Sequence, residues 1–184
     1  MYSYHIVLDL EMNPVSKEHK NVYENLRQEI IEIGAVKLNE HLEIVDTFDC
    51  FVKPEFNYQI TPYINKLTGI KSSSAMNAES FATALKDFEA WMGNGADTRI
   101  YSWSDNDLIQ LKTECEFKEI PFPKNMKRWL DFQKVFQRLM NISNRGKHLA
   151  LCEAIKYFDI EINSKKVHNA LYDAEITSTL LVPF

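Results

Sequence analysis

Three short segments place acids and a histidine at spacings that chemistry could use. In the stretch from His5 to Met12, Ile6, Leu8, Leu10 and Met12 alternate with His5, Val7, Asp9 and Glu11. Alternation with period two is a strand, so Asp9 and Glu11 leave one face, about 7 Å apart at Cα. Bathed in water they are ordinary solvated acids. Covered, they need cations, and carboxylate oxygens are hard ligands suited to Mg²⁺ or Mn²⁺. A second segment, Trp103-Ser104-Asp105-Asn106-Asp107-Leu108, lies at a strand-to-helix junction, where α/β folds place ligands. The competing reading makes Asp105 an N-cap and Asp107 an acid favoured by the helix dipole.

The third segment runs from His168 to Glu175, at the start of the last predicted helix. Five helical steps turn the chain through about 500°, so His168 and Asp173 cannot share a face of one continuous helix. His168 therefore belongs to the preceding loop. From there its imidazole can lean over a site that Asp173 enters from the helix, an arrangement suited to a base beside a metal ligand. A solvated histidine followed by a first-turn acid is the plain alternative.

These segments need a scaffold, and the rest of the chain supplies one. Glu29 to Leu38 and Glu43 to Pro54 read as further strands joined through Asn39-Glu40-His41, giving an antiparallel three-stranded start. Between the first two strands, Asn13 to Gln28 reads as an exposed polar excursion. It carries Lys17, Lys20 and Arg27, either a substrate guide or a solvated loop. Ala78 to Met92 spaces Phe81, Leu85, Phe88 and Met92 as an amphipathic helix, with Asn77 as its predicted cap and glycines 93 and 95 ending it. Thr98 to Trp103 is a short strand, and Asp105 to Phe117 a helix. Helices are predicted over 132–140, 149–158 and 170–181, with Asp131 capping the first of them. The fold class is α/β, helices packed on both sides of a mixed sheet, in a single domain over 1–184.

Composition narrows the alternatives. The 184 residues are 45% hydrophobic and 26% charged, which excludes a disordered or fibrous chain. No apolar run approaches the roughly 18 residues a membrane span needs, and the first residues lack the layout of a signal peptide, so the expectation is a soluble, cytoplasmic protein. Cys50, Cys115 and Cys152 form no Cys-x-x-Cys pair, and all three are predicted to be small core residues. A net charge of −5 argues against a polyanion partner, unless clustered acids hold cations. Two divalent ions on four carboxylates would bring it to about −1.

Taken together, the segments resemble the DEDDh family of 3'-to-5' exonucleases. Asp9-Leu10-Glu11 matches its first motif, Asp107 the acid of its second, and His168 with Asp173 its third, in the family's order. Ile30-Ile31-Glu32-Ile33-Gly34-Ala35-Val36 and Leu67-Thr68-Gly69-Ile70 also resemble family segments. The nearest subgroup contains the histone-mRNA-trimming and small-RNA-trimming exonucleases and the KapD-like bacterial proteins. Its Ser-Trp-Gly-x-x-Asp pattern aligns Ser102, Trp103 and Asp107, which favours Asp107 over Asp105. Ser104 replaces the usual glycine, and Asn106 stands where an aromatic is common.

The resemblance implies a ribonuclease H-like fold and a two-metal mechanism, with paired Mg²⁺ or Mn²⁺ ions clamping the scissile phosphate. Asp9, Glu11, Asp107 and Asp173 would be the metal ligands and His168 the general base, since an imidazole titrates near neutral pH. Met12, Leu67 and Thr68 would contact the terminal nucleotide of a single-stranded nucleic acid, RNA favoured over DNA. Gly69 simply ending a helix is the competing reading of the latter segment. The rival function is a catalytically inactive module of the same fold that binds nucleic acid or protein, whose mark would be a lost acid. All four acids are present.

Overall fold

The computed structural model describes residues 2–142, 148–164 and 166–182. Strands β1 (Tyr4–Pro14), β2 (Gln28–Leu38) and β3 (Ile44–Lys53) form an antiparallel meander. After two short helices, α2 (Pro62–Thr68) and α3 (Ser72–Met76), come a two-residue strand β4 (Glu79–Ser80), helix α4 (Phe81–Met92) and strand β5 (Thr98–Ser102). Helix α5 (Asn106–Phe117), strand β6 (Trp129–Asp131) and helices α6 (Phe132–Leu139), α7 (Leu151–Ala154) and α8 (Ala170–Thr179) follow. A four-residue helix, α1 (Lys20–Tyr23), lies between β1 and β2. The sheet order is β4-β3-β2-β1-β5-β6, with β5 parallel to β1.

Helices cover both faces because β1 is apolar on both. Ile6, Leu8 and Leu10 pack with Phe81, Leu85, Phe88 and Met92 of α4 and Leu111 and Cys115 of α5. Val7 and Val36 face the opposite way, toward Phe132 and Phe136 of α6 and Ala174 and Ile176 of α8. Burial of side chains of this size, at about 25 cal/mol per Å² of apolar surface, is what holds the layers together. Helix α8 comes unusually close. A Cβ at Gly34 would lie 2.0 Å from the Leu171 backbone nitrogen, so only glycine lets the first turn of α8 rest on β2. Gly34 is the ladder partner of Asp9, so this contact delivers the start of α8 to the acids of β1.

Several boundaries differ from the sequence expectation. The helix predicted from Ala78 starts at Phe81 behind Ser80, whose hydroxyl accepts from the Thr83 amide, because Glu79 and Ser80 pair with β3. Asn77 ends α3 instead of capping α4. The polar excursion is less exposed than its composition suggests, since β1 continues through Pro14, and Asn13, Val15 and Leu26 are buried. The predicted 149–158 helix is only α7 followed by a 3₁₀ turn over Ile155–Phe158. Helix α3 and strand β6 lie outside the sequence expectation, whereas α2 is the helix that the competing reading of Gly69 requires. Cys115 is buried as expected, Cys50 is half-buried and Cys152 is exposed, its short helix leaving that side chain on the outer face. Asp131 does cap α6, accepting from the Lys134 amide at 3.0 Å. Among the described residues no helix is long and apolar enough to cross a membrane.

Candidate active site

Four elements meet on the α8 side of the sheet. The period of β1 puts Asp9 and Glu11 on the face shared with Val7, as anticipated. Strand β5 runs parallel beside β1 and ends at Ser102, so the first turn of α5 brings Asp107 back over β1, where its Oδ1 accepts from the Leu10 amide at 3.3 Å. The start of α8, seated on Gly34, brings Asp173. Glu11, Asp107 and Asp173 are buried and Asp9 is half-buried.

His168 lies in the loop before α8, at φ 67°, a left-handed conformation rare for a residue with a side chain. Its backbone N–H donates to Asp173 Oδ2 at 3.1 Å, and its imidazole is exposed. Ligand atoms of Glu11, His168 and Asp173 all lie within 4.8 Å of one another. Asn169 caps α8, accepting from the Tyr172 amide at 3.0 Å. An apolar cleft walled by Leu151, Ile155, Val167 and Ile176 opens onto His168 and Asp173.

Among the described residues, the acids form a cluster with no lysine or arginine paired to it. Burial, followed by the charges of Asp107, Glu11, Asp173 and Glu32, holds the Asp9 carboxyl well above the usual carboxylate range. Glu11 is pushed up to about 9 by burial and by Asp173, Glu32 and Asp107. Burial raises Asp107 to about 7, against the pull of backbone N–H groups that include that of Leu10. Asp173 is raised by burial, with the amide and charge of His168 opposing. Among the described residues, lysine ion pairs go to Glu29, Glu55, Glu114, Asp105 and Asp131, and to none of these four acids. Asp173 Oδ1 is buried and receives no hydrogen bond from any described residue. Converging hard oxygens with raised affinity for positive charge, one of them unbonded, fit divalent cations.

The second motif separates its two acids. Asp105 occupies the N-cap position of α5, but its carboxylate bonds no backbone amide there. It pairs with Lys134 at 2.6 Å, and its helical backbone angles turn the side chain away from the amides a cap would serve. Ser102 and Trp103 of the same motif brace the loop: Ser102 Oγ accepts from Trp129 Nε1 at 2.8 Å, and Trp103 Nε1 donates to the Leu149 carbonyl at 2.9 Å.

The three nucleotide-contact candidates lie outside the acid cluster. Met12 is half-buried and packs against the core on the other face of β1. Leu67 and Thr68 are half-buried at the end of α2, which packs against β1. The Thr68 hydroxyl donates to the Ile64 carbonyl at 2.9 Å and accepts from the Ile70 amide at 3.1 Å. Gly69 ends α2 at φ 78°.

Sequence reasoning missed Glu32. This residue is fully buried on β2, opposite Glu11 in the ladder, and accepts from Asn169 Nδ2 at 2.8 Å and the Ala170 amide at 3.2 Å. Burial raises its pKa to about 7. The signal was available, since a lone acid in an otherwise apolar strand run must have a partner.

A six-stranded mixed sheet with an antiparallel β3-β2-β1 centre and an acid cluster where β1 meets α5 and α8 defines a nuclease of the ribonuclease H-like class. The comparisons agree. A family model described as Exonuclease matches residues 6–181. The 3'-5' exoribonuclease 1 of Rattus norvegicus is 31% identical over 159 residues, covering 82% of this chain and 44% of that protein. The DNA polymerase III PolC-type of Oceanobacillus iheyensis is 32% identical over 176 residues, covering 96% of this chain and 11% of that one. The chain thus spans less than half the length of these curated relatives. The nuclease domain of 3'hExo, a DEDDh family member bound to rAMP, superposes with a TM-score of 0.85 at 25% identity, covering 99% of this chain and 91% of that domain. The chain belongs to the DEDDh family of 3'-to-5' exonucleases, which are hydrolases.

Proposed function

We propose that this chain is a metal-dependent exonuclease that removes nucleoside 5'-monophosphates one at a time from the 3' end of single-stranded nucleic acid, with RNA preferred over DNA. The observation that carries the reading is the convergence of Asp9, Glu11, Asp107 and Asp173, with no lysine or arginine among the described residues paired to any of them, beside an exposed His168. When bound, two Mg²⁺ or Mn²⁺ ions supply charge neutralisation for the phosphate, an acidified water and stabilisation of the departing 3'-oxygen. Asp9, Glu11, Asp107 and Asp173 would hold those ions.

The remaining chemistry belongs to the chain itself. His168, held by its backbone bond to Asp173, takes the proton of the attacking water on its exposed ring. The apolar cleft beside it keeps bulk water from one side of that imidazole. Leu67 and Thr68, at the end of α2, contact the terminal nucleotide. RNA preference is supported by the 31% identity to a rat protein whose name is exoribonuclease and by the rAMP in the 3'hExo domain.

The test is release of mononucleotides from end-labelled single-stranded RNA and DNA with Mg²⁺ or Mn²⁺, and again in EDTA. Stepwise shortening from the 3' end that stops in EDTA is the expected result, faster on RNA. Equal activity in EDTA, or cutting of a circular strand, overturns the reading.

A further inference from the structure

Asn13 continues the row of Asp9 and Glu11 along β1, two residues beyond Glu11 and on the same face. It is 1% exposed, and its side-chain hydrogen bonds to described residues run to one loop, residues 57–61. Its Nδ2 donates to the carbonyls of Gln59 at 3.1 Å and Asn57 at 3.4 Å, and its Oδ1 accepts from the Thr61 amide at 3.0 Å. Thr61 is the N-cap of α2, its hydroxyl accepting from the Ile64 amide. One buried side chain on the acid-bearing strand therefore grips the entry to the helix that ends in Leu67 and Thr68. A second grip lies beside it: Glu29, the ladder partner of Asn13, accepts from the amides of Glu55 at 2.8 Å and Phe56 at 2.9 Å.

We propose that Asn13 is a positioning residue for the 3'-terminal nucleotide, fixing α2 relative to Asp9 and Glu11. This deepens the exonuclease reading and rests on it. An amide side chain suits the task because only Asn and Gln offer two donors and an acceptor without charge, and Asn is short enough to hold the loop against the strand. A carboxylate there would face two carbonyl oxygens and add to the acid cluster.

Asn13→Ala should raise KM for single-stranded RNA about tenfold, the scale of one net hydrogen bond, by releasing α2. Turnover of bis(p-nitrophenyl) phosphate, a small phosphodiester that needs no base contact, should change far less. Hydrogen exchange at the amides of Thr61, Tyr63 and Ile64 should quicken while that of β1 and β2 stays as in the parent. Asn13→Ser, which keeps one donor and acceptor, should fall between. Should Asn13→Ala fail to fold, Asn57→Ala loosens the same loop by removing its bond to the Pro14 carbonyl, and the same readouts apply.

Equal loss on both substrates, unchanged KM for RNA, or unchanged exchange at those three amides overturns the proposal. A parent protein that trims no RNA defeats the exonuclease reading instead, and the exchange data then decide alone whether Asn13 holds α2.

Discussion

Glu11 and Glu32 face each other across the β1–β2 ladder, yet their hydrogen bonding divides them. Both oxygens of Glu32 accept from the start of α8, at Asn169 and Ala170, so Glu11 is the member of the pair left for a cation. Glu32→Ala should therefore loosen the loop that carries His168 and lower kcat roughly 10- to 100-fold, as losing a ligand's supporting partner does elsewhere. Glu32→Gln keeps one acceptor and should lose less. Unchanged turnover in both variants would show that Glu32 serves only the packing of α8.

Removing an acid from the cluster should separate stability from activity. In cation-free protein the raised pKa values mean that the folded state holds protons the unfolded chain has released. For Glu11 that interval runs from the ordinary glutamate value of 4.5 up to about 9. Stability should accordingly be full below the unfolded value and fall as pH rises through the interval. Asp9→Asn should flatten that slope and melt no lower than the parent without metal, while abolishing turnover. Melting curves from pH 5 to 9, with and without Mg²⁺, check it; a parent more stable at pH 9 than at pH 5 without metal contradicts it.

His168→Ala should lower kcat by roughly 10² to 10⁴, the range for a lost general base. Calorimetric titration with Mn²⁺ should be nearly unchanged if the imidazole stays outside the coordination shell; loss of Mn²⁺ binding would make it a ligand, which its distance to Glu11 and Asp173 permits. His168→Gly should be more stable than His168→Ala, because φ 67° strains any residue with a Cβ.

Asp105 and Asp107 are two residues apart with opposite duties. Asp105 makes a half-exposed ion pair with Lys134, which solvent screens, so Asp105→Ala should shift Tm little and leave kinetics alone. Asp107→Asn should remove activity while folding normally. Thermal melts and single-strand trimming assays on both variants distinguish them, and the reverse pattern would move the second motif by two residues.

The meander was legible because its strands are long and rich in β-branched residues, and Asp9, Glu11, Asp107, His168 and Asp173 were legible through motif order. What escaped depends on contacts that one segment cannot reveal. Helices α2 and α3, at seven and five residues, are too short to show a 3.6-residue period, although Thr61-Pro62 was a readable start. Ser80 outcompeted Asn77 as a cap because β4 pairs with β3. Asp105 looked like a cap until Lys134, from another helix, claimed it. Glu32 stood in plain view in a strand and Asn13 at the start of the polar excursion, but their roles depend on partners up to 138 residues away.

The distances along the chain between the site's parts also determine when the site comes into being during folding. The meander closes through local turns, whereas Leu10 meets Asp107 across 97 residues and Glu32 meets Ala170 across 138. Such long closures are slow and come late. The growing chain therefore collapses with Asp9 and Glu11 still apart from Asp107 and Asp173, and the repulsion between these two sets begins only when the last segments dock. A penalty absent until that moment leaves the refolding rate almost untouched and shortens the lifetime of the finished state. Divalent ions entering the completed site would act as a latch on that lifetime, which would tie the protein's durability to the same ions as the proposed chemistry.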